Sequence, residues 1–157
     1  MAVHHDDTRR PWPLPVRLVV GFVSLWVPLV SLALLTGWRD GGMPEAEPDS
    51  LLLEYVVSGS AVSGPLTAQL ILSVLAFGVT RGGRLEKVAT SALVLMGAAI
   101  TTQGFLAAVG DHAHAPVLVG QIAGIGFLAF GLSLLVSSVR HLLAPGASRE
   151  RETVGAR

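Results

Sequence analysis

The sequence VATSALVLMGAAITTQGFLAAVG, residues 88–110, decides the fold class, because it holds 23 consecutive residues without Asp, Glu, Lys, Arg or His. A helix needs about 20 mainly apolar residues to cross a hydrocarbon core of about 30 Å. Three further runs meet this test: residues 18–38 with 21, residues 55–80 with 26 and residues 115–139 with 25. Only 14% of the 157 residues are charged, against about 25% in soluble domains. We therefore predict an all-α membrane protein with four transmembrane helices.

Other interpretations of these runs fit their length less well. Buried helices of soluble proteins seldom exceed about 20 residues, and the strands of a membrane β-barrel would alternate apolar and polar residues over about 10 positions. A signal peptide at residues 18–38 would have a shorter apolar core of about 7 to 15 residues. Trp12 and Trp38 instead bracket this run, as expected for anchors at the two membrane interfaces.

The distribution of charge predicts the orientation. Four spans place both termini and the middle connection on one side, which carries ten basic and five acidic residues and therefore a net charge of +5. The opposite side carries Arg39 and six acidic residues, a net charge of −5. Because short cytoplasmic segments are enriched in Lys and Arg, we predict an antiparallel up-down-up-down bundle with both termini cytoplasmic. The formal net charge of zero hides this separation.

A single transmembrane domain accounts for most of the chain. We predict a cytoplasmic N-terminal tail at 1–14, the four-helix domain at 15–143, and a disordered cytoplasmic tail at 144–157. The predicted spans are about 16–37, 56–80, 87–110 and 116–140, with outer loops at 38–55 and 111–115 and an inner loop at 81–86. Ten arginines against one lysine indicate a GC-rich bacterial genome, so we expect the bacterial inner membrane.

Small residues recur at helical spacing in the last three spans. Lipid is as apolar as leucine, so helices in a membrane associate where small residues let their backbones approach. We expect these positions to pack the bundle or to contact a second copy or a larger membrane complex, with a groove for a lipid or small apolar ligand as the alternative. The positions are Ser60, Gly64, Gly97, Gly104, Gly120, Gly124 and Gly131.

A polar layer is predicted beneath the outer surface. At about 1.5 Å per residue, Gln103 and Gln121 lie roughly 10 and 8 Å below that surface. Glutamine both donates and accepts hydrogen bonds, so the layer would be an interhelical clamp worth about 1 kcal/mol per bond or the lining of a ligand pocket. The layer comprises Gln69, Gln103, Gln121, Thr67, Thr101 and Thr102.

Two charged groups are further candidates for binding. Asp111, His112 and His114 have the chemistry of a site with two histidines and one carboxylate, although we favour a solvated loop there. Basic residues at the inner ends of the spans would hold anionic lipid headgroups or simply fix the topology. These are Arg81, Arg84, Lys87 and Arg140.

Several functional classes are excluded by what the sequence lacks. No predicted span has an ionisable residue in its interior, whereas proton-coupled carriers normally need one. The chain contains no Walker, Rossmann or zincin motif, no cysteine and no basic stripe for nucleic acid. We therefore expect a non-catalytic membrane subunit or scaffold without a cofactor. The alternative is a small-molecule or lipid binder or transporter with a Gln/Thr-lined pocket near the outer leaflet.

Overall fold

The computed structural model describes residues 12–36, 65–110 and 117–144, together with residues 52 and 56. Four α-helices occupy the three longer ranges, and no β-strand occurs within them. The helices are α1 at Leu14–Thr36, α2 at Leu66–Thr80, α3 at Gly83–Val109 and α4 at Val117–Leu143. The predicted all-α class is therefore confirmed for the described part of the chain.

Three of the helices are long and apolar enough to cross a membrane. They are α1, α3 and the part of α4 that runs over Gly120–Leu143. The apolar α2 has 15 residues and a length of about 22 Å, which is shorter than a hydrocarbon core. Residues 57–64 of the second predicted span lie outside the described residues. The same holds for residues 1–11 of the predicted N-terminal tail and residues 145–157 of the predicted C-terminal tail. The structure is thus consistent with a multi-pass membrane protein.

Helix α2 begins at Leu66, after Pro65, although the predicted second span begins at 56. Two further helix boundaries differ from the predicted ones by three residues or more. Helix α3 begins at Gly83, inside the predicted inner loop at 81–86, and α4 continues to Leu143, past the predicted end at 140. The prediction followed the apolar runs, but charged residues extend a helix readily when their sign opposes the helix dipole. Glu86 lies in the first turn of α3, and Arg140 and His141 lie in the last turn of α4.

The connection between α2 and α3 is therefore very short. Gly82 has a φ of 74° and Gly83 a φ of 68°, a backbone conformation that glycine adopts without the steric cost of a Cβ atom. Two consecutive residues of this kind reverse the chain directly after Arg81, so that α3 turns back along α2. In this hairpin, a Cβ atom at Gly78 of α2 would lie 2.9 Å from the Cβ atom of Ala89 in α3.

One end of the bundle contains the main apolar core. The start of α1, the end of α2, the start of α3 and the end of α4 contribute to it, so these four segments meet there. Leu93 and Leu134 are completely buried. The buried cluster consists of Val16, Val19, Leu72, Ala76, Val79, Ala89, Leu93 and Leu134.

Aromatic side chains attach α1 to α4. The ring of Phe22 stacks on that of Phe130, with centroids 4.1 Å apart and planes 9° from parallel. One turn further along, Trp26 stacks on Phe127 with centroids 5.6 Å apart. Aromatic pairs of this kind contribute about 0.5–1.5 kcal/mol beyond their buried area, so α1 is fixed along its middle to the α3–α4 pair.

Four glycines bring the backbones of α3 and α4 into direct contact, and we call this contact the glycine seam. A Cβ atom at Gly97 would lie 2.8 Å from the Leu135 nitrogen, and one at Gly131 would lie 2.5 Å from the Thr101 nitrogen. The other two members are Gly104, which faces the Leu128 backbone, and Gly124, which faces the backbone of Ala107 and Ala108. The order of these contacts shows that α3 and α4 run antiparallel.

The seam accounts for four of the seven positions expected to pack helices. A fifth, Gly120, is buried. Ser60 and Gly64 lie outside the described residues. Since no side chain fits between the two backbones at the four seam positions, glycine is required there by space alone.

Replacement of Gly124 by alanine tests the seam. The added Cβ would lie 2.5 Å from the Ala108 nitrogen, so we expect Gly124→Ala to lower the free energy of unfolding by about 1–3 kcal/mol. Unfolding of the purified chain in mixed micelles, followed by far-ultraviolet circular dichroism, measures the change.

Gly126→Ala is the matched control, because a Cβ there meets nothing within 4 Å. We expect this variant to be as stable as the parent or more stable by up to about 1 kcal/mol, since alanine favours the helix. An equal decrease in the free energy of unfolding of Gly124→Ala and Gly126→Ala would show that the backbones of α3 and α4 do not touch at Gly124.

Candidate functional site

Every titratable side chain in the described ranges lies at one end of the bundle, which we call the basic end. The basic end consists of the first turns of α1 and α3, the α2–α3 turn and the last turn of α4. All of its Arg and Lys side chains are exposed. They are Arg17, Arg81, Arg84, Lys87 and Arg140. The structure thus brings the four predicted lipid-headgroup residues to the same end and adds Arg17.

A hydrogen bond between side chains joins α3 to α4 at this end. The Nε2 atom of His141 lies 2.9 Å from the Oε1 atom of Glu86, and the two residues are 55 positions apart in sequence. The side chains are 27% and 37% exposed, so the pair contributes at most about 1 kcal/mol. Glu86 is the one acidic residue of the described ranges, and it faces His141. The other charged side chains of the basic end are Arg and Lys and are therefore positive.

The contact between His141 and Glu86 was not predicted from the sequence, which indicated only that His141 lies at the inner surface, where it would contact water or phosphates. The available signal was that Glu86 and His141 occupy the first turn of one helix and the last turn of the next. Two helices that run antiparallel bring such turns together, but their spacing in sequence gives no hint of the contact.

Arg81 is held in place by an aromatic ring. Its Cζ atom lies 4.4 Å from the centroid of the Phe77 ring, which is within the distance of a cation–π interaction. Phe77 is one turn earlier on α2, and its ring is largely exposed. The guanidinium group is therefore positioned beside the end of α2 rather than extended away from the bundle.

A cavity of about 400 Å³ lies between α1 and α2, next to this ring. Its lining is mainly apolar and includes Trp12, Val16, Val20, Ala76 and Phe77.

Three hydroxyl side chains, Ser24, Ser73 and Thr80, line the same cavity, and two of them donate hydrogen bonds to carbonyls of their own helix. Ser73 Oγ donates to the Gln69 carbonyl at 2.8 Å, and Thr80 Oγ1 donates to the Phe77 carbonyl at 2.7 Å. Both residues line the cavity. A ligand in this space would therefore interact mainly through apolar contacts.

The predicted polar layer is spread over different environments. Gln69 is buried, Gln121 is half-buried and Gln103 is exposed. Within the described ranges, no hydrogen bond joins Gln103 to Gln121. None of the three glutamines lines the cavity between α1 and α2.

The threonines of the layer donate their hydroxyl protons to backbone carbonyls. Thr101 donates to Gly97 at 2.7 Å, and Thr102 donates to Ala98 at 3.1 Å. Thr67 donates to the carbonyl of Val56 at 3.1 Å. The clamp and the polar pocket both stay predictions.

The predicted metal ligands Asp111, His112 and His114 lie outside the described residues. Among the residues that are described, no three His, Cys, Asp or Glu side chains come close enough to hold a metal ion.

Comparison with known proteins gives no relative for this chain: no family model, no curated protein and no solved structure matches it. The chemistry of its own residues therefore carries the functional argument.

Two single replacements, Gln69→Leu and Gln103→Leu, test whether these glutamines form one interhelical clamp or act separately. Gln69 is buried, and a buried amide is normally hydrogen-bonded, so we expect Gln69→Leu to destabilise the protein by about 1 kcal/mol. Gln103 is exposed, so Gln103→Leu is expected to leave stability unchanged or to raise it. Unfolding in mixed micelles measures both. A loss of similar size in both variants would instead support a clamp that includes Gln103.

Proposed function

We propose that the protein is a non-catalytic subunit or scaffold of the bacterial inner membrane. In this proposal, it forms an up-down-up-down bundle of four transmembrane helices with both termini in the cytoplasm. The basic end is then the cytoplasmic end, in agreement with the excess of Lys and Arg on that side of membrane proteins.

The observation that carries the proposal is the location of the titratable groups. All those in the described ranges lie at the basic end. The interior between the helices consists of the glycine seam, stacked aromatic rings, aliphatic side chains and four buried polar residues that do not titrate, Gln69, Thr90, Ser137 and Ser138. General acid–base chemistry needs a proton donor or acceptor within reach of a substrate. In the described ranges, the interior contains no titratable side chain that could act as the proton donor or acceptor. Its residues instead fix one helix against the next.

The lipid-facing surface supports a role in assembly. Leu70 on α2, Leu95 on α3 and Leu118 on α4 are each about two-thirds exposed or more. Such faces are suited to lipid and to the helices of a neighbouring protein, because association in a membrane depends on fit rather than on hydrophobicity. The glycine seam keeps α3 and α4 rigid, so a partner would meet a fixed surface.

Photo-crosslinking in the native membrane tests the proposal. A photoreactive phenylalanine analogue is introduced at one exposed apolar position of each helix, and the chain is produced at its natural level in its own cells. Suitable positions are Leu29, Leu70, Leu95 and Ile122, which are 47–72% exposed. We expect one defined protein adduct from adjacent positions, because a scaffold contacts its partner through a fixed face. The other positions should react with lipid and serve as internal controls. Adducts with lipid alone at all four positions would contradict a scaffold function.

A further inference from the structure

We propose that the cavity between α1 and α2 binds an acyl chain of an anionic phospholipid, whose headgroup phosphate is held by Arg81. This site goes beyond the scaffold function and does not depend on it.

The shape and chemistry of the cavity favour an acyl chain. Its volume of about 400 Å³ falls within the range of about 300–1,000 Å³ that is typical of ligand sites. Val16, Val20 and Ala76 give it apolar walls, and the hydroxyl groups of Ser73 and Thr80 donate to carbonyls of α2. In a bilayer, an empty space of this kind would forfeit dispersion contacts along its walls. The hydrocarbon chain of a lipid restores those contacts without requiring a hydrogen bond.

The position of Arg81 selects the headgroup. Phe77 lines the cavity, and the guanidinium group of Arg81 lies over its ring at 4.4 Å. One side chain therefore forms the wall for the acyl chain and holds a cation beside it. Guanidinium groups bind phosphate oxygens through two parallel hydrogen bonds.

Further positive charge surrounds this position. Arg17 is exposed and directly follows Val16, which lines the cavity. Glu86 lies 2.9 Å from His141 on the α3–α4 side, where it faces a different partner. Anionic headgroups are attracted by about 1 kcal/mol per basic residue near a membrane surface, so the basic end favours an anionic lipid over a zwitterionic one.

A second copy of the chain is a poorer occupant of the cavity. Copies in one membrane share their orientation, so pairing through this face would place Arg81 and Arg17 of one copy beside the same residues of the other. Like charges at close range repel, whereas an anionic lipid neutralises them. The charge of the surface therefore favours a lipid.

Native mass spectrometry of the purified full chain tests the site. The protein is titrated with phosphatidylglycerol and, separately, with phosphatidylcholine of the same acyl chains. We expect tighter binding of phosphatidylglycerol and a loss of about fivefold in its affinity in Arg81→Gln. Arg140→Gln makes the same change in net charge on α4, which does not line the cavity, and is expected to lose less affinity. Arg81→Lys retains the charge and should keep part of the preference.

A second pair of variants tests the acyl chain. Val20 is 39% exposed and lines the cavity, so Val20→Trp should fill the space and weaken the binding of both lipids. Leu25 is 61% exposed on the same helix and does not line the cavity, so Leu25→Trp is the control. Circular dichroism confirms that each variant is folded.

Three results would overturn the proposal. The first is an equal affinity of the parent protein for the two lipids. The second is an equal loss of lipid affinity in Val20→Trp and Leu25→Trp. The third is a dimer of the parent protein that Val20→Trp dissociates. The last result would assign the cavity to a second copy.

Discussion

The contact between the backbones of α3 and α4 is the interaction on which the rest of the structure depends. In lipid, the hydrophobic effect does not drive helices together, so the available terms are close packing and hydrogen bonding. Glycines at positions 97, 104, 124 and 131 remove the side chains that would keep the two backbones apart. The contact extends from Gly97 against Leu135 to Gly124 against Ala108, and therefore fixes the register of the two helices.

The other features follow from that register. Because α3 and α4 are antiparallel and aligned, the first turn of α3 meets the last turn of α4, and Glu86 contacts His141. The α2–α3 turn then places Arg81 at the same end. Helix α1 packs on this framework through Phe22 and Trp26, and the space left between α1 and α2 forms the cavity. The basic end and the apolar cavity are thus consequences of the register and the connections of the helices.

The sequence predicted the features that depend on composition and local spacing. The long uncharged runs predicted the helices, and small side chains that recur at helical spacing predicted positions where helices approach. It did not identify the partner of each glycine, because spacing within one helix contains no information about the register of a second helix.

Other features depend on tertiary contacts and were missed for that reason. Gln103 lies on a helix whose apolar residues are not gathered on one face, so periodicity could not show that its side chain is exposed. The start of α3 at Gly83 was missed because the prediction followed the uncharged run that begins at Val88, whereas the helix begins within the charged residues before it. The cavity depends on the volumes of side chains from two helices and leaves no pattern in either one.

Solid-state NMR of the chain in lipid bilayers tests the glycine seam most directly. With glycine and threonine labelled at their Cα atoms, we expect a cross-peak between Gly131 and Thr101, because a Cβ at Gly131 would lie 2.9 Å from the Thr101 Cα. Thr101→Ser removes the threonine signal and so assigns the peak. The cross-peak between Gly97 and Thr101, one turn apart on α3, provides an internal reference. If the Gly97–Thr101 peak is observed and the Gly131–Thr101 peak is not, the backbones of α3 and α4 are not in contact at the glycine seam.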